Sequence, residues 1–312
     1  MHLSEWEDIF RLDFNGLWPL LAQAGRLREA RIGHGISLCV IINAKSGHCP
    51  QDCAFCAQSR RSTAAINTYP LLPREQLVAA AQQAAAQGAA RFSIVTSGRG
   101  VASPRERQTI MDTVTEIRAT TPLKVCVSLG IVDEDFLRDL AFAGVYRYHH
   151  NIETAASFYP QIATAHRFEE RTATIRAAQA AGLRVCVGGI FGLGESVAQR
   201  YEMARIIQEL EVDAIPLNFL QPIPGTPLAD RQPLNPLEAL QTILAFRLFF
   251  PDKQIIIAGG RAGALRSLAP LMFAAGADAL MTGDYLTTKG QLPAQDLEML
   301  ADLGLHAHRE AL

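Results

Sequence analysis

A single (β/α)8 barrel with an N-terminal helical extension is the fold class the sequence predicts. Eight short apolar runs, rich in Val and Ile and bounded by Gly, Pro or Asn, recur along the 312 residues. Segments of helical period separate them, and glycines end several of those segments shortly before the next run, as C-terminal caps do. Strands alternating with helices imply a parallel sheet, and eight repeats close it into a barrel. A doubly wound open sheet, the alternative, would normally use fewer strands over this length.

Residues 1–35 read as helical, with Ser4-Glu5-Trp6-Glu7 placing acidic side chains in a first turn. The first strand is expected over 36–43, where Ser37, Cys39, Ile41 and Asn43 share one face. Gly88 precedes the second, at 91–96. Pro104 starts the next helix, whose Ile110, Val114 and Ile117 lie on one side, and the third strand follows at 123–130. Gly144 and Gly182 precede the fourth and fifth strands, at 145–151 and 184–190. Met203, Ile206, Ile207 and Leu210 form a helical face before the sixth, at 213–220. Pro236 opens another helix, and the last two strands are expected at 254–259 and, after Gly276, at 278–282. The domain organisation is thus an extension over 1–35 and a barrel with a C-terminal tail over 36–312. Functional residues should follow the strands or point inward along them.

At 49% hydrophobic and 19% charged, the chain can bury a sizeable core, which excludes disorder for most of its length. Lys and Arg total 29 against 31 Asp and Glu, without a basic stripe, so no nucleic-acid partner is expected. No run of 18 apolar residues would span a membrane, and MHLSEWEDIF lacks the pattern of a signal peptide. A cytoplasmic protein is expected. Its six cysteines are Cys39, Cys49, Cys53, Cys56, Cys126 and Cys186. In a reducing compartment, clustered thiols point to metal binding or redox chemistry rather than to disulfides.

Gly47-His48-Cys49-Pro50-Gln51-Asp52-Cys53-Ala54-Phe55-Cys56 follows the first strand directly, with spacing C-x3-C-x2-C. A structural zinc loop would want four ligands, and His48 cannot readily share a metal with adjacent Cys49. Three cysteines can hold three irons of a [4Fe–4S] cluster and leave the fourth open. The spacing, with aromatic Phe55 before the last Cys, resembles the radical S-adenosylmethionine (SAM) superfamily. The resemblance implies that SAM chelates the open iron through its amino and carboxylate groups. Reduction then yields methionine and a 5′-deoxyadenosyl radical, with Phe55 against the adenine.

Further stretches resemble the biotin synthase family, from about residue 36 to 305. They are Asn43-Ala44-Lys45-Ser46-Gly47, Cys53-Ala54-Phe55-Cys56-Ala57-Gln58-Ser59 and Tyr148-His149-His150-Asn151-Ile152-Glu153-Thr154. Val185-Cys186-Val187-Gly188-Gly189-Ile190-Phe191-Gly192-Leu193-Gly194-Glu195, Pro216-Leu217-Asn218, Gly225-Thr226-Pro227-Leu228 and Ala258-Gly259-Gly260-Arg261 follow in order. That family inserts sulfur between two unactivated carbons of dethiobiotin. Two C–H bonds break, so two SAM molecules are implied per turnover, and the sulfur comes from an auxiliary iron–sulfur cluster inside the barrel.

In one branch the auxiliary cluster is [2Fe–2S], held by three Cys and one Arg from strands two, three, five and seven. Here Cys126, Cys186 and Arg261 match, but the second strand carries Ser93 and the first carries Cys39. The third thiolate is therefore expected to have moved, giving Cys39, Cys126, Cys186 and Arg261 as the auxiliary ligands. Arginine is an unusual ligand because its guanidinium is normally protonated, and only the resemblance places it there. The Cys39 and Ser93 pattern, with Val95-Thr96-Ser97-Gly98-Arg99-Gly100, looks more like a second branch with a four-iron auxiliary cluster. The bland reading of each lone cysteine is a small buried hydrophobe.

The resemblance also assigns SAM-binding roles to Phe55, Asn151, Glu153, Arg171, Gly188, Gly189, Ile190 and Glu195. Most of the family has Asp where this chain has Glu153. Glycines let backbone approach a nucleoside, and a phosphate loop would need a following Lys-Ser or Lys-Thr, which is absent. Asn43, His149, Asn151 and Asn218 are expected at the substrate. His149 and His150 point to opposite faces of a strand and cannot readily share a metal. A homodimer and an electron donor such as flavodoxin or ferredoxin are implied by the family alone. The competing functions are a related barrel enzyme, such as a mutase or hydrogenase maturase, and a non-catalytic iron–sulfur sensor.

Overall fold

Parallel strands cannot be joined by hairpins, so each waits for a crossover to return the chain. The structure, a computed structural model, describes residues 1–308, and the end of the expected tail lies outside them. Helices α1 (Leu3–Arg11) and α2 (Phe14–Ile32) make the extension. The chain then runs through β1 (Gly35–Lys45), α3 (Arg74–Ala86), β2 (Arg91–Thr96), α4 (Pro104–Thr120), β3 (Lys124–Ser128), α5 (Glu134–Phe142) and β4 (Arg147–His149). Next come α6 (Phe168–Ala180), β5 (Arg184–Cys186), β6 (Gly189–Phe191), α7 (Val197–Glu209), β7 (Ala214–Phe219), α8 (Pro236–Phe249) and β8 (Gln254–Ile257). Short helices α9 (Arg261–Leu265) and α10 (Leu271–Ala274), β9 (Ala279–Met281), α11 (Pro293–Asp302) and β10 (His306–His308) complete the described chain.

The strands pair in parallel in sequence order, and β9 returns to β1 through Ser37↔Ala279, Leu38↔Leu280 and Cys39↔Met281. This closes an eight-stranded barrel in which β5 and β6 are halves of one strand, both paired with β7. The expected fifth strand breaks because of Pro216. Proline offers no N–H to the ladder, and a Cβ on Gly188 would lie 1.9 Å from the Pro216 carbonyl oxygen. The chain approaches β7 there too closely for a regular strand.

The cap signals hold. Gly88, Gly144, Gly182 and Gly276 all take positive φ, and Pro104 and Pro236 sit in the first turns of α4 and α8. Trp6 of α1 is fully buried, with its ring 5.4 Å from that of Phe246 and 5.9 Å from that of Phe249. The extension thus seals the flank of α7 and α8. β10 was not foreseen. It pairs with β1 over Gly35–Ser37, at the end of the barrel where β1 begins. Among the described residues no helix is long and apolar enough to cross a membrane.

Candidate active site

Alternation along each strand sends every second side chain into the barrel. In this chain those positions converge on one cavity of about 340 Å3. Register sets Cys39 beside Arg91, Ser93 beside Cys126, Cys126 beside Arg147, and His149 beside Cys186. Cys39, Cys126 and Cys186 all line the cavity and are nearly fully buried. Cys39 points inward as expected, and Ser93 faces the same cavity from β2. Burial, opposed by Arg147 and Arg91, pushes the Cys126 thiol up to about 11. Burial against Arg147, with the neighbouring thiols adding to it, takes Cys186 to about 12.

Two buried arginines beside the thiols form a polar floor. The Arg91 Nη1 donates to Ser37 Oγ at 2.8 Å and lies 3.7 Å from Cys39 Sγ. The Arg147 Nη1 donates to Gln254 Oε1 at 2.7 Å. Both arginines are 2% exposed. Arg261 is not part of this floor, which corrects the expected ligand set. It opens α9, beyond the end of β8, and its Nη2 donates to both Asp296 carboxylate oxygens at 2.6 Å. The β8 residue that faces the cavity is Ile256. The sequence reading missed Arg91 and Arg147, although Arg91 stands two residues before Ser93 and so shares its inward phase.

The C-x3-C-x2-C loop leaves β1 through a left-handed turn, with Gly47 at φ 79° and His48 at φ 50°. A Cβ on Gly47 would lie 2.4 Å from Thr68 Cγ2, so only glycine fits. The loop is pinned from three sides. The Gly47 N–H donates to Gln58 Oε1, the Ser97 hydroxyl donates to the Gly47 carbonyl, and the Ala54 N–H donates to the Ile162 carbonyl. Phe55 and Cys56 reach the cavity wall. Cys53 packs beside Tyr159. Burial raises it to about 12, with Arg171 pulling against Glu153, Cys56 and Cys49. Cys56 is pushed to about 11, again by burial.

Opposite this loop, Glu153 sits at φ 69°, a left-handed position that costs a non-glycine residue ~1–3 kcal/mol. Its backbone is clamped, since the Ile190 N–H donates to the Glu153 carbonyl at 2.8 Å. A Cβ on Gly189 would lie 2.2 Å from that same carbonyl oxygen. Glu153 lies 3.4 Å from Arg171 Nη1, which also donates to the Asn151 carbonyl at 2.8 Å. The Arg171 Nε donates to the Tyr159 hydroxyl, which is 2.6 Å from His166 Nε2. Burial works against the Arg171 charge, but Glu153 and Tyr159 outweigh it, so the guanidinium stays charged. Arg171 is buried rather than solvated on its helix.

His149 lines the cavity and His150 does not, as the strand phase required. Burial, then Arg171, pushes His149 down to about 4, so its imidazole is neutral near pH 7. Asn151 and Asn218 both line the cavity. Asn151 Oδ1 accepts from the Gly188 N–H, while Asn218 bridges the Gly189 carbonyl and the Gly259 N–H. Ile190 lines the wall. Asn43 stands behind it and donates to the Leu286 carbonyl, so it holds the lip segment Tyr285, Leu286, Thr287 and Thr288. That segment went unread in the sequence. Glu195 is a second correction. It accepts from the Gly192 and Gly194 N–H groups and pairs with Arg200 at 2.8 Å, so it braces the glycine loop from behind.

These residues fit two iron–sulfur groups. Thiolates are the ligands such clusters take, and each of the two thiol sets lines or borders the same cavity. Among the described residues no three His, Cys, Asp or Glu side chains converge on the point a single metal ion would occupy. Nε and Nη2 of Arg91 are buried without a hydrogen-bond partner, and Glu153 is the only carboxylate among the cavity-lining residues. The closed end is thus a donor-rich, cationic floor suited to an anionic group.

Comparison with known proteins agrees with this geometry. A family model described as the radical SAM superfamily matches residues 44–207, and one described as the biotin and thiamin synthesis associated domain matches 216–306. A biotin synthase of Geobacter sulfurreducens is 50% identical over 302 residues, 97% of this chain and 92% of the relative. One from Heliobacterium modesticaldum is 48% identical over 96% of this chain and 91% of the relative. Among solved structures, methylornithine synthase superposes with a TM-score of 0.86 at 19% identity, over 99% of this chain and 94% of that one. The hydrogenase maturase HydG of Carboxydothermus hydrogenoformans gives 0.83 at 17% identity, over 98% and 75%. At such identities these two speak to the fold alone.

Proposed function

The chain belongs to the biotin synthase family of radical SAM enzymes, and from that premise we propose how its residues divide the work. The reaction is sulfur insertion into dethiobiotin to give biotin. A [4Fe–4S] cluster and SAM belong to it by family. When bound, these groups supply a 5′-deoxyadenosyl radical that abstracts hydrogen, and an auxiliary cluster supplies the sulfur.

Cys49, Cys53 and Cys56 would hold the SAM cluster. Arg171, kept charged by Glu153, would pair with the SAM carboxylate through a fork suited to it. Glu153 would accept from the ribose hydroxyls, Phe55 would cover the adenine, and Gly188, Gly189 and Ile190 would admit the nucleoside edge. Asn151, Asn218 and neutral His149 would hold dethiobiotin between the two thiol sets. Asn43 would act through the lip, where Thr287 and Thr288 would meet the substrate's outer end.

Cys39, Cys126 and Cys186 would hold the auxiliary cluster, and the four-iron type is favoured. Two features support it: the thiol on β1 instead of β2, and Ile256 where β8 faces the cavity. A homodimer, a cytoplasmic location and an electron donor of the flavodoxin or ferredoxin class complete the reading. The homodimer and the electron donor rest on family resemblance.

The observation that carries this reading is the second set of three buried thiols in one cavity with the C-x3-C-x2-C loop. A mutase has no use for it, and a sensor has none for the Glu153 and Arg171 pair. The test is anaerobic reconstitution with iron and sulfide, followed by SAM, a low-potential reductant and dethiobiotin. Biotin with two 5′-deoxyadenosines per product is expected. Deoxyadenosine without biotin would turn the reading to a mutase, and neither product to a sensor.

A further inference from the structure

Arg91 is a buried cation without a carboxylate partner. It is 2% exposed, and no ion pair joins it to Asp or Glu among the described residues. Among the described residues its side chain hydrogen-bonds to Ser37 Oγ at 2.8 Å and to Cys39 Sγ at 3.7 Å, and its guanidinium lies 6.0 Å from the Tyr146 ring centre. Nε and Nη2 are buried without partners, although the side chain lines the cavity beside Cys39. Buried charge is tolerated only when paired, so this guanidinium is built to meet an anion. Arg261 is the opposite case, because Asp296 occupies its fork.

We propose that Arg91 is the positioning residue of the auxiliary site. Its free N–H donors hold the anionic sulfur of the auxiliary cluster from the floor of the barrel, as hydrogen-bond donors and not as an iron ligand. The inference rests on the reading of Cys39, Cys126 and Cys186 as that cluster's thiolates. Guanidinium is a strong donor to anions and does not give up its proton to bind metal. Hydrogen bonds to sulfur and nearby positive charge both raise a cluster's reduction potential. Arg91 would therefore retain sulfide and make the auxiliary cluster easier to reduce.

The test compares full-length wild type, Arg91→Met, Arg91→Lys and the paired Arg261→Met with Asp296→Leu, all reconstituted anaerobically. Iron and acid-labile sulfide are counted during challenge with a chelator, and the auxiliary potential is read by a redox titration followed by electron paramagnetic resonance. Arg91→Met is expected to lose auxiliary sulfide about tenfold faster, the scale of second-shell effects at metal sites, and its potential falls. Arg91→Lys keeps the charge and loses the fork, so its loss rate is intermediate. The paired variant matches wild type in both readouts. The inference is overturned if Arg91→Met keeps wild-type sulfide and potential, or if the paired variant shifts the potential as Arg91→Met does. If Arg91→Met does not fold, Arg91→Lys decides, since a wild-type loss rate in that variant overturns it equally. Failure of the underlying reading looks different: wild type and Cys39→Ala would then carry the same iron, that of one cluster.

Discussion

The Asp52 carboxylate accepts hydrogen bonds from the backbone N–H groups of Thr164 and Ala165, each at 2.9 Å. Asp52 lies between Cys49 and Cys53, and Thr164 lies between β4 and α6. One side chain therefore ties the cluster loop to the segment that carries Tyr159 and leads to Arg171. Two halves of the candidate SAM site, more than a hundred residues apart in sequence, are held in one frame.

Replacing Asp52 with Asn removes the charge from those bonds. Burial alone would raise the Asp52 pKa, but the Thr164 hydroxyl, the two N–H groups and Arg60 outweigh it and hold the carboxyl at about 2. A depressed carboxyl stabilises the fold above its unfolded value of 3.8, and that contribution fades as pH falls through about 2. Asp52→Asn should lose about 1–3 kcal/mol in urea unfolding of the metal-free chain at pH 7. The gap to wild type should hold down to about pH 4 and close below it. A gap that widens on acidification would contradict this account.

Cys39→Ala tests the relocated thiol. The variant should lose the auxiliary iron, keep the iron held by Cys49, Cys53 and Cys56, and still form 5′-deoxyadenosine without biotin. Iron analysis and mass spectrometry of the products check it. Wild-type iron and biotin yield would return Cys39 to the status of a packed hydrophobe.

Gly189→Ala should act on SAM binding. The added Cβ would meet the Glu153 carbonyl oxygen at 2.2 Å, and overpacking of this kind costs about 1–3 kcal/mol. Glu153 is the group that moves, so the SAM Kd of the reconstituted protein should rise about tenfold or more. Equilibrium dialysis with labelled SAM measures it.

Arg171→Gln leaves Glu153 buried beside an uncharged amide, while Arg171→Gln with Glu153→Gln leaves neither charge. Breaking a buried pair from one side costs about 3–5 kcal/mol, and removing both partners costs much less. Thermal or urea unfolding of the metal-free variants should show the double variant more stable than the single. SAM binding should be weak in both. Equal stabilities would mean that the Glu153 and Arg171 contact contributes nothing to the fold.

The sequence carried the local part of the site well. Strand phase put Ser37, Cys39, Ile41 and Asn43 on one face, and Cys39 does point inward. It also separated His149 from His150. Glu195 went astray because a glycine-rich run does not say which of its residues faces the ligand, and here Arg200 on α7 draws the carboxylate away. Arg261 went astray because a motif match fixes a position along the chain but not the partner that claims the side chain. Asp296, 35 residues later, claims it.

What the sequence determined by itself was periodic or local: the alternation of strand and helix, the cap glycines, the thiol spacing and the inward phase of each strand. These follow from backbone geometry, which each short segment carries with it. Only the tertiary structure decided which inward residues share a layer. Barrel closure through β9 and β1 brings the strands' inward rows together, so that Cys39, Cys126, Cys186, Arg91 and Arg147 meet at one closed end. Register between strands far apart in the chain sets that meeting, and no single strand encodes it.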